Sequence, residues 1–237
     1  MQKRRVSNGV SKETVVISVG GSLISPPSGI DTLFLTKLKS LVESHIKKGF
    51  RFVIITGGGA TARNYQNAGR KVADVAKEDL DWIGIHATRL NGHLLRSLFR
   101  KHAAPALVKN PETKVAPNKS VIIAAGWKPG FSTDFVATKL ASKVRAKKIV
   151  NLSDIDYVYD KDPKKYKDAK AIKNISWKEF RNLIPKSWDP GLSSPFDPVA
   201  AELAEKHEME VVMLNGKKLG EFEKYLNKKS FVGTHIA

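Results

Sequence analysis

Hydrophobic positions along the chain fall into two alternating patterns. Short runs rich in β-branched residues occupy Thr14–Val19, Arg51–Thr56 and Ser120–Ala125, and Ala146–Leu152 and Glu210–Leu214 read the same way. The first three are almost unbroken in apolar character and stop at glycine, as strands covered on both faces of a parallel sheet do. Between these runs the period lengthens to three and four residues. Leu33, Leu35, Leu38, Leu41, Val42 and Ile46 form a helical stripe that ends at Gly49, a C-terminal stop signal. Asp79–His102 carries a second stripe through Leu80, Ile83, Ala87, Leu90, Leu94, Leu95 and Leu98. Thr133–Lys143 and Pro198–Lys206 read as further helices, opened by the capping candidates Thr133 or Ser132 and Asp197.

Regular alternation of strand and helix predicts an α/β fold. The expected form is a three-layer α/β/α sandwich around a mostly parallel central sheet of at least five strands. The chain's 237 residues, 41% of them hydrophobic, suit one such domain. Residues 1–12 read as a basic N-terminal arm. The remainder, 13–237, reads as a single domain with an N-lobe over about 13–125 and a C-lobe over about 126–237. Pro185–Pro198 is the most loop-like stretch and reads as a hinge for the last helix.

Composition narrows the chemistry. The sequence has no cysteine, which excludes a disulfide scaffold, a thiolate metal site and a cysteine nucleophile, and leaves an intracellular, cytoplasmic protein as the expectation. The six histidines show no ligand spacing, so no metal site of the protein's own is expected. The run Val15–Val19 is too short for a signal-peptide core or a membrane span, and no membrane partner is expected. A net charge of +18 points to anionic partners.

Ligands of an open parallel sheet gather at the carboxyl ends of its strands, where helix N-termini present free N–H groups. Four strand ends carry suggestive loops: Gly20-Gly21-Ser22, Gly57-Gly58-Gly59 through Arg63, Gly126 through Asp134, and Ser153 through Asp162. Glycine lets a backbone approach a phosphate with no Cβ between them. Neither the Walker A spacing nor G-x-G-x-x-G occurs at these loops, so P-loop and dinucleotide-binding readings fail. Several glycine loops facing one another suggest a polyphosphate held between two lobes.

Further residues carry a family resemblance. The stretch Asp81-x-x-Gly84-x-x-Ala87-Thr88-x-x-Asn91 is its most specific element. Gly57-Gly58-Gly59 with Arg63, Pro129-Gly130-x-Ser132-Thr133-Asp134, Asp156-x-Val158-Tyr159-x-x-Asp162-Pro163 and Asp197-Pro198-x-Ala200-Ala201 support it. From about Val15 to Ile236 the chain resembles the amino-acid kinase superfamily, and within it the archaeal-type UMP kinases. The resemblance implies transfer of the γ-phosphoryl group of MgATP to UMP, giving UDP in pyrimidine nucleotide biosynthesis, with Mg²⁺ arriving on the nucleotide. It assigns Gly20, Gly21, Gly59, Arg63, Ser153, Tyr159 and Asp162 to ATP. To UMP it assigns Gly58, Asp81, Trp127, Lys128, Pro129, Gly130, Phe131, Ser132 and Thr133. Arg63 and Asp134 are the catalytic candidates, and Asp134 reads equally well as a helix cap. A homohexamer is expected by analogy.

Two departures stand out. Many kinases of the superfamily place a lysine two residues before the first glycines, where this chain has Ser18, which leaves Arg63 and Lys128 as the local cations. Tyr157 stands where the family usually has glycine, and a bulky residue at such a turn requires a different backbone angle. Most of the excess charge lies away from the loops: Lys139–Lys173 alone carries 11 Lys and Arg against five Asp, so charge is weak support for a kinase. It leaves two alternatives. One is a non-catalytic or regulatory protein of the same fold that binds nucleotides or nucleic acid. The other is a superfamily kinase with another small phosphate or carboxylate acceptor.

Overall fold

The computed structural model describes residues 13–116, 118–163, 165–187 and 194–237. The expected basic arm at 1–12 and the middle of the 185–198 loop lie outside the described residues. In chain order the elements are β1 (Thr14–Val19), α1 (Gly21–Ile24), α2 (Thr32–Lys47), β2 (Arg51–Thr56), α3 (Gly59–Val72), α4 (Lys77–Leu98), β3 (Val121–Ala124), α5 (Thr133–Lys143) and β4 (Lys148–Ser153). There follow β5 (Val158–Tyr159), β6 (Ala171–Ile172), β7 (Asn174–Ile175), α6 (Trp177–Leu183), α7 (Pro198–Lys206), β8 (Glu210–Asn215), a 3₁₀ turn at Gly216–Lys218, α8 (Leu219–Leu226) and β9 (Thr234–Ile236).

The central sheet has the order β3-β2-β1-β4-β8-β9-β7, parallel except where β9 runs against β8. Every residue of β3 is buried, as are five of six in β1 and β2, because helices cover both faces. On one face α2 and α8, with Leu95 of α4, pack Phe34, Leu38, Val42 and Phe222 against Ile17, Ile54 and Val150. On the other face α5, α6 and α7 pack Val136, Leu140, Phe180 and Ala200 against Val53, Ile122 and Val211. Full burial of each such Val, Leu, Ile or Phe side chain is worth roughly 1.5–3 kcal/mol, which fixes the layering.

Local signals set the helix ends. Asp31 accepts from Phe34 N–H, Ser132 from Phe135 N–H, and Asp197 from the N–H groups of Val199 and Ala200. The stripe that points to Gly49 ends at Lys47, and Gly49 takes φ +94° just beyond it. The α4 helix starts two residues before the predicted Asp79 and stops four before His102, after which the chain turns into a bridge between Ala103 and Val121. Tyr157 meets its turn without left-handed backbone: among the described residues only Arg145, Glu208 and Lys228 take positive φ without being glycine.

Register positions the site. Val19 lies beside Thr56 and Leu152, Ile55 beside Ala124, and Ser153 beside Asn215. All five long parallel strands therefore end along one edge, and the glycine loops that follow them are neighbours.

Candidate active site

The loops after β1 and β2 touch. Gly57 N–H donates to Val19 O at 2.9 Å and Gly20 N–H to Leu152 O at 2.8 Å, which draws both loops onto the sheet edge. A Cβ on Gly21 would lie 2.0 Å from Gly59 N and 2.6 Å from Gly58 N, so only glycine permits this approach. Gly59 also takes φ +65° as it opens α3. The junction joins Gly20, Gly21, Gly58 and Gly59 in one backbone surface at a helix N-terminus, the geometry that receives anionic oxygen. Arg63, one turn into α3, is exposed and lines a cleft of about 510 Å³ with Ser22, Asp154, Gly216 and Lys217. It makes no ion pair among the described residues.

Beside the junction, α4 presents one stripe of polar side chains to the loop that follows β3. Asp81 Oδ2 accepts from Gly130 N–H at 2.8 Å, and Thr88 Oγ1 accepts from Gly126 N–H at 2.7 Å while donating to Ile85 O. Arg89 donates to the carbonyls of Gly126 and Trp127 at 3.2 and 2.7 Å. Asn91 donates to Gly57 O at 2.8 Å, so the same helix also anchors the triple-glycine loop. Burial pushes the Asp81 carboxyl above its ordinary value, opposed by the Gly130 N–H and by Lys77. In the loop, Lys128 Nζ lies 4.4 Å from the centre of the Trp127 ring and 5.3 Å from that of Phe131. Pro129 and Gly130 make the turn, and Gly130 has φ +85°.

Behind both loops sits Asp134. Its Oδ1 accepts from Ser18 Oγ at 2.8 Å and Asn151 Nδ2 at 3.0 Å. Ser132, not Asp134, caps α5, so the helix-cap reading of Asp134 does not hold. Burial pushes the Asp134 carboxyl up to about 6, the Ser18 hydroxyl pulls it down, and the charge of Asp197 adds to the rise. Ser132 Oγ donates in turn to Asp197 Oδ2, and Thr133 begins α5. Among the described residues no group of three or more His, Cys, Asp or Glu is placed to hold a metal ion.

Ser153 ends β4 next to Gly20, whose added Cβ would stand 3.7 Å from its Cα. Tyr159 ends β5 within electrostatic reach of Lys218, and Asp162 follows three residues on, its carbonyl accepting from the N–H groups of Lys165 and Tyr166. Asp156 accepts from Lys218 Nζ and Asn215 Nδ2 at 2.8 and 2.9 Å, and the Lys218 bond holds its carboxyl below the usual range. Sequence reasoning passed over Arg89, Asn151, Lys217 and the Ser132–Asp197 pair. A lone amide in an apolar strand was the available signal for Asn151. Nothing in the chain brings Ser132 to Asp197, 65 residues on.

A family model for the amino acid kinase family matches residues 13–215. The chain is 32% identical over 206 residues to a uridylate kinase of Methanococcus aeolicus, covering 85% of this chain and 90% of that protein. It is 34% identical over 228 residues to a uridylate kinase of Methanocorpusculum labreanum, covering 94% of each. Among solved structures, uridylate kinase from Archaeoglobus fulgidus superimposes with a TM-score of 0.81 at 27% identity, covering 94% of this chain and 99% of that one. UMP kinase from Bacillus anthracis shares the fold at a TM-score of 0.77 and 19% identity, over 94% of this chain and 95% of that one.

Proposed function

The chain belongs to the amino acid kinase family, and on that premise we propose that it is an ATP-dependent UMP kinase. The observation that carries the reading is the backbone junction of Gly21 with Gly58 and Gly59. On one side it has the cleft lined by Arg63, and on the other the Gly126–Gly130 loop gripped by Asp81.

In the proposed reaction a phosphate oxygen of UMP attacks the γ-phosphorus of MgATP. A new P–O bond forms, the bond to the β–γ bridging oxygen breaks, and ADP leaves with that electron pair. Such a transfer asks the protein to align donor and acceptor and to offset charge on the transferring group, with no covalent intermediate. Gly20, Gly21, Gly59 and Arg63 face the ATP phosphates in this scheme, and Ser153, Tyr159 and Asp162 line its nucleoside side. Gly58, Asp81 and the loop Trp127–Thr133 take UMP. Asp134 orders Ser18 and Asn151 behind the transferring group. With serine at position 18, the positive charge at the reacting centre comes from Arg63, Lys128 and the Mg²⁺ carried by ATP.

In this scheme the lobe over about 13–125 brings Gly58 and Asp81 to UMP and Gly20, Gly21, Gly59 and Arg63 to the ATP phosphates, and the lobe over about 126–237 adds the Trp127–Thr133 loop to UMP and Ser153, Tyr159 and Asp162 to the ATP nucleoside. The protein works as a cytoplasmic homo-oligomer in this reading, a hexamer by analogy. No helix among the described residues is long and apolar enough to cross a membrane. A coupled assay of ADP release from MgATP with UMP, CMP, dUMP, GMP and AMP tests the proposal. A marked preference for UMP is the expected outcome, and no turnover of UMP above the other acceptors overturns it.

A further inference from the structure

We infer that Arg89 is a positioning residue for the phosphoryl acceptor, acting by fixing two peptide planes of the loop after β3. Its guanidinium holds the carbonyls of Gly126 and Trp127 from one side, at 3.2 and 2.7 Å, and lies 5.7 Å from the centre of the Trp82 ring. A trans peptide is planar, with its C=O and the following N–H pointing in opposite directions. No peptide here is cis, so turning those two carbonyls toward α4 turns the N–H groups of Trp127 and Lys128 away from it. Neither N–H makes a hydrogen bond among the described residues, whereas Gly126 N–H and Gly130 N–H on either side are taken by Thr88 and Asp81. Two adjacent unused donors, on a loop whose Lys128 ammonium lies over the Trp127 ring, form a cradle suited to a dianionic phosphate. The planar fork of arginine meets two consecutive carbonyls at once, which a lysine ammonium on its flexible stem does not reproduce.

The inference rests on the loop being the acceptor side of a UMP kinase, and its test separates the two. Arg89→Lys keeps the charge and removes the fork. Its KM for UMP is expected to rise by about tenfold or more, with kcat and the KM for ATP within about threefold of the parent. Amide exchange is expected to quicken at Gly126 and Gly130 and not in β1 or β2. In Arg89→Ala, added methylguanidinium is expected to restore part of the UMP affinity. A residue serving only the fold would move the KM of both substrates and the thermal midpoint, without rescue. A parent protein that does not phosphorylate UMP defeats the functional reading and this inference with it. A parent that does, beside an Arg89→Lys variant with native KM for UMP or equal losses for both substrates, defeats this inference alone.

Discussion

Ser18 donates its hydroxyl to the Asp134 carboxylate at 2.8 Å, joining the inner sheet strand β1 to the first turn of α5 across 116 residues of sequence. The second donor, Asn151, is equally neutral. Two uncharged hydrogen bonds do not offset the desolvation of a buried carboxylate that also faces Asp197, which is why its pKa rises to about 6.

Asp134→Asn is expected to raise stability and lower activity. Because the native pKa of about 6 lies above the ordinary 3.8, the folded state keeps a proton that the unfolded state has lost between those values. The stability this group contributes is therefore present below about pH 4 and is lost as pH rises to 6. The amide retains an oxygen acceptor for Ser18 and Asn151. At pH 7.5 the variant should exceed the parent by about 1–3 kcal/mol in urea unfolding, with the gap closing toward pH 4. A gap independent of pH would remove burial of the charge as the cause. UMP phosphorylation should fall by about tenfold or more.

Ser18→Ala removes one donor from that carboxylate and should shift its titration further upward. We expect a loss of about 1–2 kcal/mol at pH 7.5, smaller at pH 4.5 where the carboxyl is protonated. Equal losses at both pH values would mean that the hydroxyl serves packing and not the charge.

Two glycines at the proposed site should behave in opposite ways. In Gly21→Ala the new methyl meets the backbone nitrogens of Gly59 and Gly58, so the two loops must separate and both stability and turnover should collapse. In Gly130→Ala nothing lies within 4 Å of the methyl, and the cost is the φ +85° conformation alone, about 1–2 kcal/mol. Similar unfolding midpoints for the two variants would contradict the loop contact.

Thr88→Val preserves shape but leaves the Gly126 N–H without its acceptor. Thermal or urea unfolding should register about 1–3 kcal/mol, the cost of an unpaired buried donor. A neutral result would show that the loop repairs the bond elsewhere.

Arg63→Ala and Asp81→Asn separate the two sides of the proposed site. Each should reduce UDP formation by about tenfold or more with an unchanged unfolding midpoint, the first through ATP and the second through UMP. Near-native turnover in both would sink the site assignment.

Periodicity made the main frame legible. Thr133–Lys143 and Pro198–Lys206 are helices with the predicted bounds, and the five long strands deviate by no more than two residues at either end. The short strands β7 and β9, two and three residues long, leave no period-two trace, because they pair at the border of a sheet that others have already built. The α1 helix escaped for a related reason: its four residues form a single turn held by Leu23 and Ile24 in the core. In α4, Thr88, Arg89 and Asn91 stand in the quoted family stretch, but their partners at Gly126, Trp127 and Gly57 lie more than 30 residues away.

The sequence by itself determined that strands buried on both faces end at glycines, and therefore that this chain is a mostly parallel α/β protein with those glycine loops at the ends of its strands. Local patterning suffices for that, since it depends on residues within a turn or a strand of one another. Only the tertiary structure decided what the polar residues at that edge do. It set Gly21 against Gly59, gave Asp134 to Ser18 and Asn151, and turned Arg89 onto two carbonyls of the loop after β3. Those pairings follow from strand register and helix packing, which bring distant residues within hydrogen-bond reach and leave no trace in local spacing.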